Sequence, residues 1–204
     1  FGGKATFMIQ NVLPAVLTAY LRGFSLELIK VGLESFIPSP SQTPGRLNLF
    51  QFKDFQILLD YAHNPAGLRA LKNMIEKMEG HPKVGIIAGI GDRRDEDNRE
   101  IGGIAAEMFD EIIIRQDKNL RGKSDVELIN MLKDGIEAVD PNKPVIVIPS
   151  EKDAITHAVK NAKKNSMIIL CSDVVPDALE LVKRFKEEEA NRLYEFSTTE
   201  IPNL

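Results

Sequence analysis

The apolar positions change rhythm once along the chain. Residues 4–22 carry Phe7, Ile9, Val12, Val16, Ala19 and Tyr20 at helical spacing, which predicts a helix that Pro14 kinks or divides and Gly23 ends. Ser25 caps a second predicted helix over 26–36, bearing Leu28, Ile29, Val31 and Leu33. Pro38, Pro40 and Pro44 then fall within seven residues, so 38–45 reads as a linker or crossing loop and marks a boundary.

After that boundary short apolar runs alternate with helical patterns. Strands are predicted at 47–52, 55–59, 84–87, 112–114, 145–148 and 167–170. Lys53-Asp54 joins the first two as a hairpin. Helices are predicted after Pro65, where Leu68, Leu71, Ile75 and Met78 share a face, and over 97–109. Ser124 and Glu127 form a capping box before another helix, Ser150 caps the next, and the last begins at Pro176. Its charged run, 183–189, reads as a solvated face, and 192–204 shows no clear pattern. Strands this apolar, alternating with helices, predict an α/β fold. The expectation is a doubly wound, mainly parallel six-stranded sheet with one antiparallel edge strand, preceded by a short helical segment. The predicted division is 1–37 helical segment, 38–45 linker, 46–190 α/β domain and 191–204 tail.

Composition narrows the function classes. A net charge of −4 with dispersed basic residues gives no footprint for nucleic-acid binding. No apolar run approaches the roughly 20 residues that span a bilayer. Cys171 is the single cysteine, which rules out a disulfide framework within the chain. With no signal peptide visible at the start, these features point to the cytoplasm. The chain opens without methionine inside a Gly-Gly-Lys turn, which reads as a piece cut from something longer.

In a parallel sheet the loops after each strand share one rim, where ligands bind. The rim gathers Asp60, His63 and Asn64; Gly89 to Asp97, including Asp92, Arg93, Arg94 and Asp95; Arg115 to Lys123, including Asp117 and Arg121; and Ser172 with Asp173. Guanidinium forks suit carboxylates and phosphates, and carboxylates suit ribose hydroxyls or cationic groups. A mixed-charge substrate, or a phosphorylated nucleotide beside an amino acid, matches that rim. Gly122-Lys123-Ser124 ends like a P-loop, but Asp117 stands where its first glycine belongs. No His, Cys and carboxylate set has zinc spacing, and no Gly-x-Ser-x-Gly elbow occurs.

Thr43-Pro44-Gly45-Arg46, the run from Asp60 to Pro65, and Gly91-Asp92-Arg93-Arg94-Asp95 together resemble the C-terminal domain of the Mur ligase family. Within it the likeness is greatest to the branch that adds arginine to aspartate side chains of a polymer. The resemblance implies an ATP-dependent amide ligase that forms an acyl phosphate, with Mg²⁺. It makes the 1–37 segment the tail of a central ATPase domain, with the P-loop and metal ligands upstream, so that the piece alone is inactive. It implies that Asn11 approaches adenine, Arg46 reaches the phosphates, Asp60 contacts the ribose and His63 lies beside the phosphates. Arg46 and His63 are the implied catalytic residues. Asp92, Arg93, Arg94, Asp117 and Arg121 fall where the family binds the incoming amino acid. The implied partners are a small amino acid, a peptide or polymer acceptor and upstream domains of the same chain. The apolar faces of 1–36 leave room for a homo-oligomer. Other readings are a folylpolyglutamate or muramyl-peptide ligase, or a non-catalytic nucleotide- or ligand-binding module.

Overall fold

The computed structural model describes residues 1–116, 120, 122–172 and 174–199. Six strands form one sheet in the order β1-β2-β6-β3-β4-β5. β1 (Asn48–Gln51) runs antiparallel to β2 (Phe55–Asp60) at the edge, with Asn48 opposite Leu59. β2, β6 (Ser166–Cys171), β3 (Lys83–Ala88), β4 (Glu111–Arg115) and β5 (Val145–Val147) are parallel.

The alternation of side chains along the strands supplies two apolar layers. Leu58, Ile87, Ile112, Ile114, Met167 and Ile169 face α3 (Pro65–Ile75), α4 (Asp95–Met108) and α5 (Asp125–Val139). Ile57, Leu59, Ile86, Ile113, Ile168 and Leu170 face α6 (Glu151–Lys160) and α7 (Val175–Thr199). The steps β2 to β3, β3 to β4 and β4 to β5 all move in one direction across the sheet, and the step from β5 to β6 returns. Right-handed crossovers therefore put α3 to α5 on one face and α6 on the other. The helices leaving β2 and β3 diverge from the helix leaving β6, and a crevice opens at the carboxyl ends of these strands.

The expected helix over 4–22 is divided: a single 3-10 turn, Thr6–Met8, precedes α1 (Ile9–Leu21), and Pro14 stays inside the helix. Ala5, Phe7 and Met8 rest against the α3–α5 layer, whereas α1 and α2 (Leu26–Ser35) bury no residue. The sequence shows no pattern after residue 192, yet α7 continues to Thr199. Upstream of that stretch, Arg184 faces Glu188 at 3.6 Å and Lys186 faces Glu189 at 2.6 Å along the helix surface. Glu189 also accepts the Lys53 N–H of the β1–β2 turn at 2.8 Å, which ties the helix to the sheet edge. Residues 200–204 of the expected tail lie outside the described residues.

Candidate functional site

The site begins with a turn. Gly45 has φ +72°, a conformation that favours glycine, and Val175 occupies the space where a Cβ would stand. Asn48, 1% exposed, clamps this turn: its amide oxygen accepts Gly45 N–H at 2.7 Å and its NH₂ donates to the carbonyls of Thr43 (3.0 Å) and Arg46 (3.3 Å). The Tyr61 N–H donates to Gly45 O at 2.8 Å and fixes the turn beside the end of β2. Arg46 is exposed, with its guanidinium carbon 4.7 Å from the centre of the Tyr61 ring.

Asp60 ends β2, in register with Cys171 of β6. Its Oδ2 accepts Leu47 N–H and its Oδ1 accepts Ala62 N–H, both at 2.9 Å. Burial pushes this carboxyl above the usual range, although the two hydrogen bonds and the charges of Arg46 and His63 pull it down. Each carboxylate oxygen keeps acceptor capacity for a ligand hydroxyl. His63 Nδ1 lies 2.9 Å from Tyr61 O. A carbonyl can only accept, so Nδ1 carries the hydrogen and Nε2 is left for another partner. The His63 and Tyr61 rings meet edge to face at 4.6 Å. Asn64 caps α3 by accepting Gly67 N–H at 2.8 Å, with Pro65 at the helix start. His63, Asn64, Ile87, Ala88, Arg115 and Cys171 line the crevice at the carboxyl ends of the strands.

The loop after β3 forms the next wall. Asn98, fully buried on α4, accepts Ile90 N–H at 2.8 Å and donates to Ile90 O at 3.1 Å. A Cβ on Gly91 would collide with the Leu120 carbonyl, so glycine lets the loops after β3 and β4 touch. Lys123 joins those loops, with Nζ 2.7 Å from Arg93 O and 2.7 Å from Asp95 Oδ1, and this contact holds the Asp95 carboxyl below its usual value. Arg94 is the N-cap residue of α4 and pairs with Asp97 at 2.7 Å, so its charge serves the first turn of its own helix. Arg93 is half-buried, and its Nε has no hydrogen-bond partner among the described residues. Asp92 is exposed on the same rim.

Arg46, Asp60 and His63 are thus brought together around Tyr61, and Asp92, Arg93 and Arg94 stand on the neighbouring loop. Asn11 is placed otherwise: it is exposed on α1, and its amide donates to Met8 Sδ at 3.7 Å within its own segment. Asp117, Arg121 and Asp173 lie outside the described residues. Among those described, no three His, Cys, Asp or Glu side chains group to hold a metal ion, and no helix is long and apolar enough to cross a membrane.

Residues 45–174, from the Gly45 turn to just past β6, match the family described as Mur ligase, glutamate ligase domain. The chain belongs to the Mur ligase family. A cyanophycin synthetase of Geminocystis herdmanii is 40% identical over 181 residues, which is 89% of this chain and 21% of that protein. The chain therefore spans about a fifth of the length of that curated relative. A UDP-N-acetylmuramoyl-L-alanyl-D-glutamate–2,6-diaminopimelate ligase of Caldanaerobacter subterraneus is 30% identical over 165 residues, 80% of this chain and 33% of that protein. Among solved structures, MurF from Acinetobacter baumannii superposes with a TM-score of 0.62 at 22% identity, over 88% of this chain and 37% of that one.

In this Mur ligase domain several residues that organise the rim carry no obvious sequence signal. Tyr61 sits inside the Asp60 to Pro65 motif and reads there as a spacer. Asn48 and Asn98 look like ordinary polar residues of a strand and a helix. Glu151 looks like a first-turn acid of α6, yet it stands 2.9 Å from the buried Arg115.

Proposed function

We propose that this chain is the C-terminal lobe of an ATP-dependent amide ligase that adds arginine to the aspartate side chain of a growing polymer. The carrying observation is the convergence of Arg46, Asp60 and His63 around Tyr61 at the carboxyl ends of the strands. The ligase family and the 40% identity to a cyanophycin synthetase support this reading.

The residues fit a nucleotide. Asp60 keeps acceptor capacity beyond its two main-chain bonds, which suits ribose hydroxyls. Arg46 presents an exposed planar fork, held over an aromatic face, for phosphate oxygens. His63, oriented by its Nδ1–H against the Tyr61 carbonyl, leaves Nε2 for a phosphate oxygen. Transfer of the γ-phosphoryl group of ATP to the acceptor carboxylate would leave ADP and an acyl phosphate, and attack of the incoming amine on the acyl carbon would then release phosphate and leave the amide. This lobe contributes positioning and charge: Arg46 offsets charge on the phosphates and Asp60 fixes the ribose. Asp92, Asp95 and Asp117 are the partners proposed for the guanidinium of the incoming amino acid, and Arg93, Arg94 and Arg121 for carboxylates. Asn11 is proposed to reach the adenine when the lobe closes through the 38–45 hinge. The metal ligands and the P-loop are proposed to lie in upstream domains of the same chain. The lobe alone is then inactive, and the enzyme works in the cytoplasm.

A second reading is a muramyl-peptide ligase, favoured by the 30% identity to a diaminopimelate ligase. The two separate in one assay of the full-length protein. Arginine, diaminopimelate and glutamate are offered with an aspartate polymer or a muramyl dipeptide, while ADP release and amide mass are followed. ADP release that requires arginine and the aspartate polymer is expected. Release only with diaminopimelate and the muramyl acceptor selects the second reading, and release with neither defeats both.

A further inference from the structure

β4 and β6 are not neighbours, because β3 lies between them. Their carboxyl ends are nevertheless joined by side chains. Arg115, the last residue of β4, is 2% exposed. Its Nη2 donates to Cys171 O at the end of β6 at 3.3 Å, and its Nη1 donates to Gln116 O at 3.1 Å. Glu151, the first residue of α6, brings Oε2 to 2.9 Å from Arg115 Nε, with its side chain 10% exposed. The Nε–H is not aimed at that oxygen, so this contact acts through charge. The same Oε2 accepts from Ser172 Oγ at 2.8 Å, and Ser172 is 1% exposed. Ser172 N–H in turn donates to Asp60 O at 3.0 Å.

The connection therefore runs from the loop that begins at Gln116, through Arg115 and Glu151, to Ser172 and Asp60. Arg115 is also a common wall of two recesses. One holds His63 and Asn64. The other opens between α6 and α7, beside Gln116 and Glu151. Burying an ion pair is a poor way to gain stability, because desolvation offsets most of the attraction and an apolar pair of similar volume does as well. What the pair does provide is a fixed distance and direction between two strand ends that the sheet does not hydrogen-bond together.

We propose that Arg115 and Glu151 are positioning residues that lock the carboxyl end of β6, and with it Asp60 and His63, to the carboxyl end of β4, so that the two sides of the rim move as one body. The roles of those two sides, nucleotide on one and incoming amino acid on the other, rest on the ligase reading above. The locking itself does not.

Two measurements keep these apart. The first uses the 204-residue chain. Amide hydrogen exchange is read at Ser172 and Ala62 in Glu151→Gln, Ser172→Ala and the charge-free double variant R115M/E151M. Exchange at both amides is expected to accelerate about tenfold or more, while amides of β3 and α5 keep their protection. Equal acceleration everywhere, or none at Ser172 and Ala62 in the two single variants, overturns the proposal. The singles decide the matter where the double variant fails to fold. The second uses the full-length protein. The amino-acid KM is measured at saturating and at limiting nucleotide. The wild type is expected to differ about fivefold or more between the two conditions, the size of an ordinary coupling between sites. Glu151→Gln is expected to bring that ratio close to one with kcat changed less than the ratio. An unchanged ratio overturns the coupling. A protein that passes the exchange test and shows no ligase activity removes the ligase reading and leaves the lock in place.

Discussion

The guanidinium of Arg46 lies over the face of Tyr61, 4.7 Å from the ring centre, and the ring of His63 meets the same tyrosine edge to face at 4.6 Å. Tyr61 thereby orders two cationic or polar groups that the sequence separates. Tyr61→Phe keeps the ring face, and nucleotide affinity is expected to stay within about twofold. Tyr61→Leu removes an attraction worth about 0.5–1 kcal/mol at an exposed site, which corresponds to a loss of about two- to fivefold. Titration calorimetry of the full-length protein measures both.

Asp60 carries structure as well as charge. Asp60→Ala strips the acceptors from Leu47 N–H and Ala62 N–H, at a cost of about 1–3 kcal/mol for groups left unpaired. A lower urea midpoint for the 204-residue chain is the expected reading.

The pH dependence of that residue has a definite sign. Burial raises the Asp60 carboxyl above 3.8 in the folded state. The folded protein then binds the proton more tightly than the unfolded chain, so this contribution to stability is fully present below pH 3.8 and is lost as pH rises through the folded value. An asparagine side chain does not titrate, so Asp60→Asn lacks this contribution. The stability of the wild type relative to Asp60→Asn is therefore expected to fall as pH rises from 3.8 into the weakly acidic range. Denaturant titrations over that range check it, and a difference that rises with pH contradicts it.

Cys171 is buried in the crevice wall, and burial first, with the Asp60 charge second, pushes its thiol up from 9.0 to about 12. That leaves about a thousandfold less thiolate than an ordinary cysteine at pH 8. Alkylation by iodoacetamide is expected to be undetectable in the native chain within hours and rapid in urea. Fast native labelling would contradict the burial.

The sequence makes the local parts of this fold legible and leaves the long-range ones hidden. Ser124 and Ser150 announce their helices, and each caps the helix expected of it. The Lys53-Asp54 turn announces the antiparallel edge, because two strands joined by so short a turn have no other way to pair. The insertion of β6 between β2 and β3 is invisible in the pattern, since a buried apolar run carries no information about its neighbours. Part of the candidate site is legible because its members lie on one hairpin and the turn that follows it. Arg46, Asp60 and His63 meet because the turn at Gly45 and the end of β2 are joined through Asp60 and Tyr61. Arg94 reads as a ligand group and is engaged by Asp97, because a residue at a helix start also neighbours the acids of the first turn. Arg115 and Glu151 are distant in the chain and meet only through the strand order, so neither stands out in the sequence.

The most direct measurement compares wild type, Arg46→Ala and Asp60→Asn in the full-length protein, with nucleotide affinity from calorimetry and turnover from ADP release. Arg46 is exposed, so its truncation leaves the fold intact. Each substitution is expected to weaken nucleotide binding about tenfold or more, equal to about 1.4 kcal/mol, and to lower turnover. Affinity and turnover that match the wild type in both variants would contradict the assignment of this rim to the nucleotide.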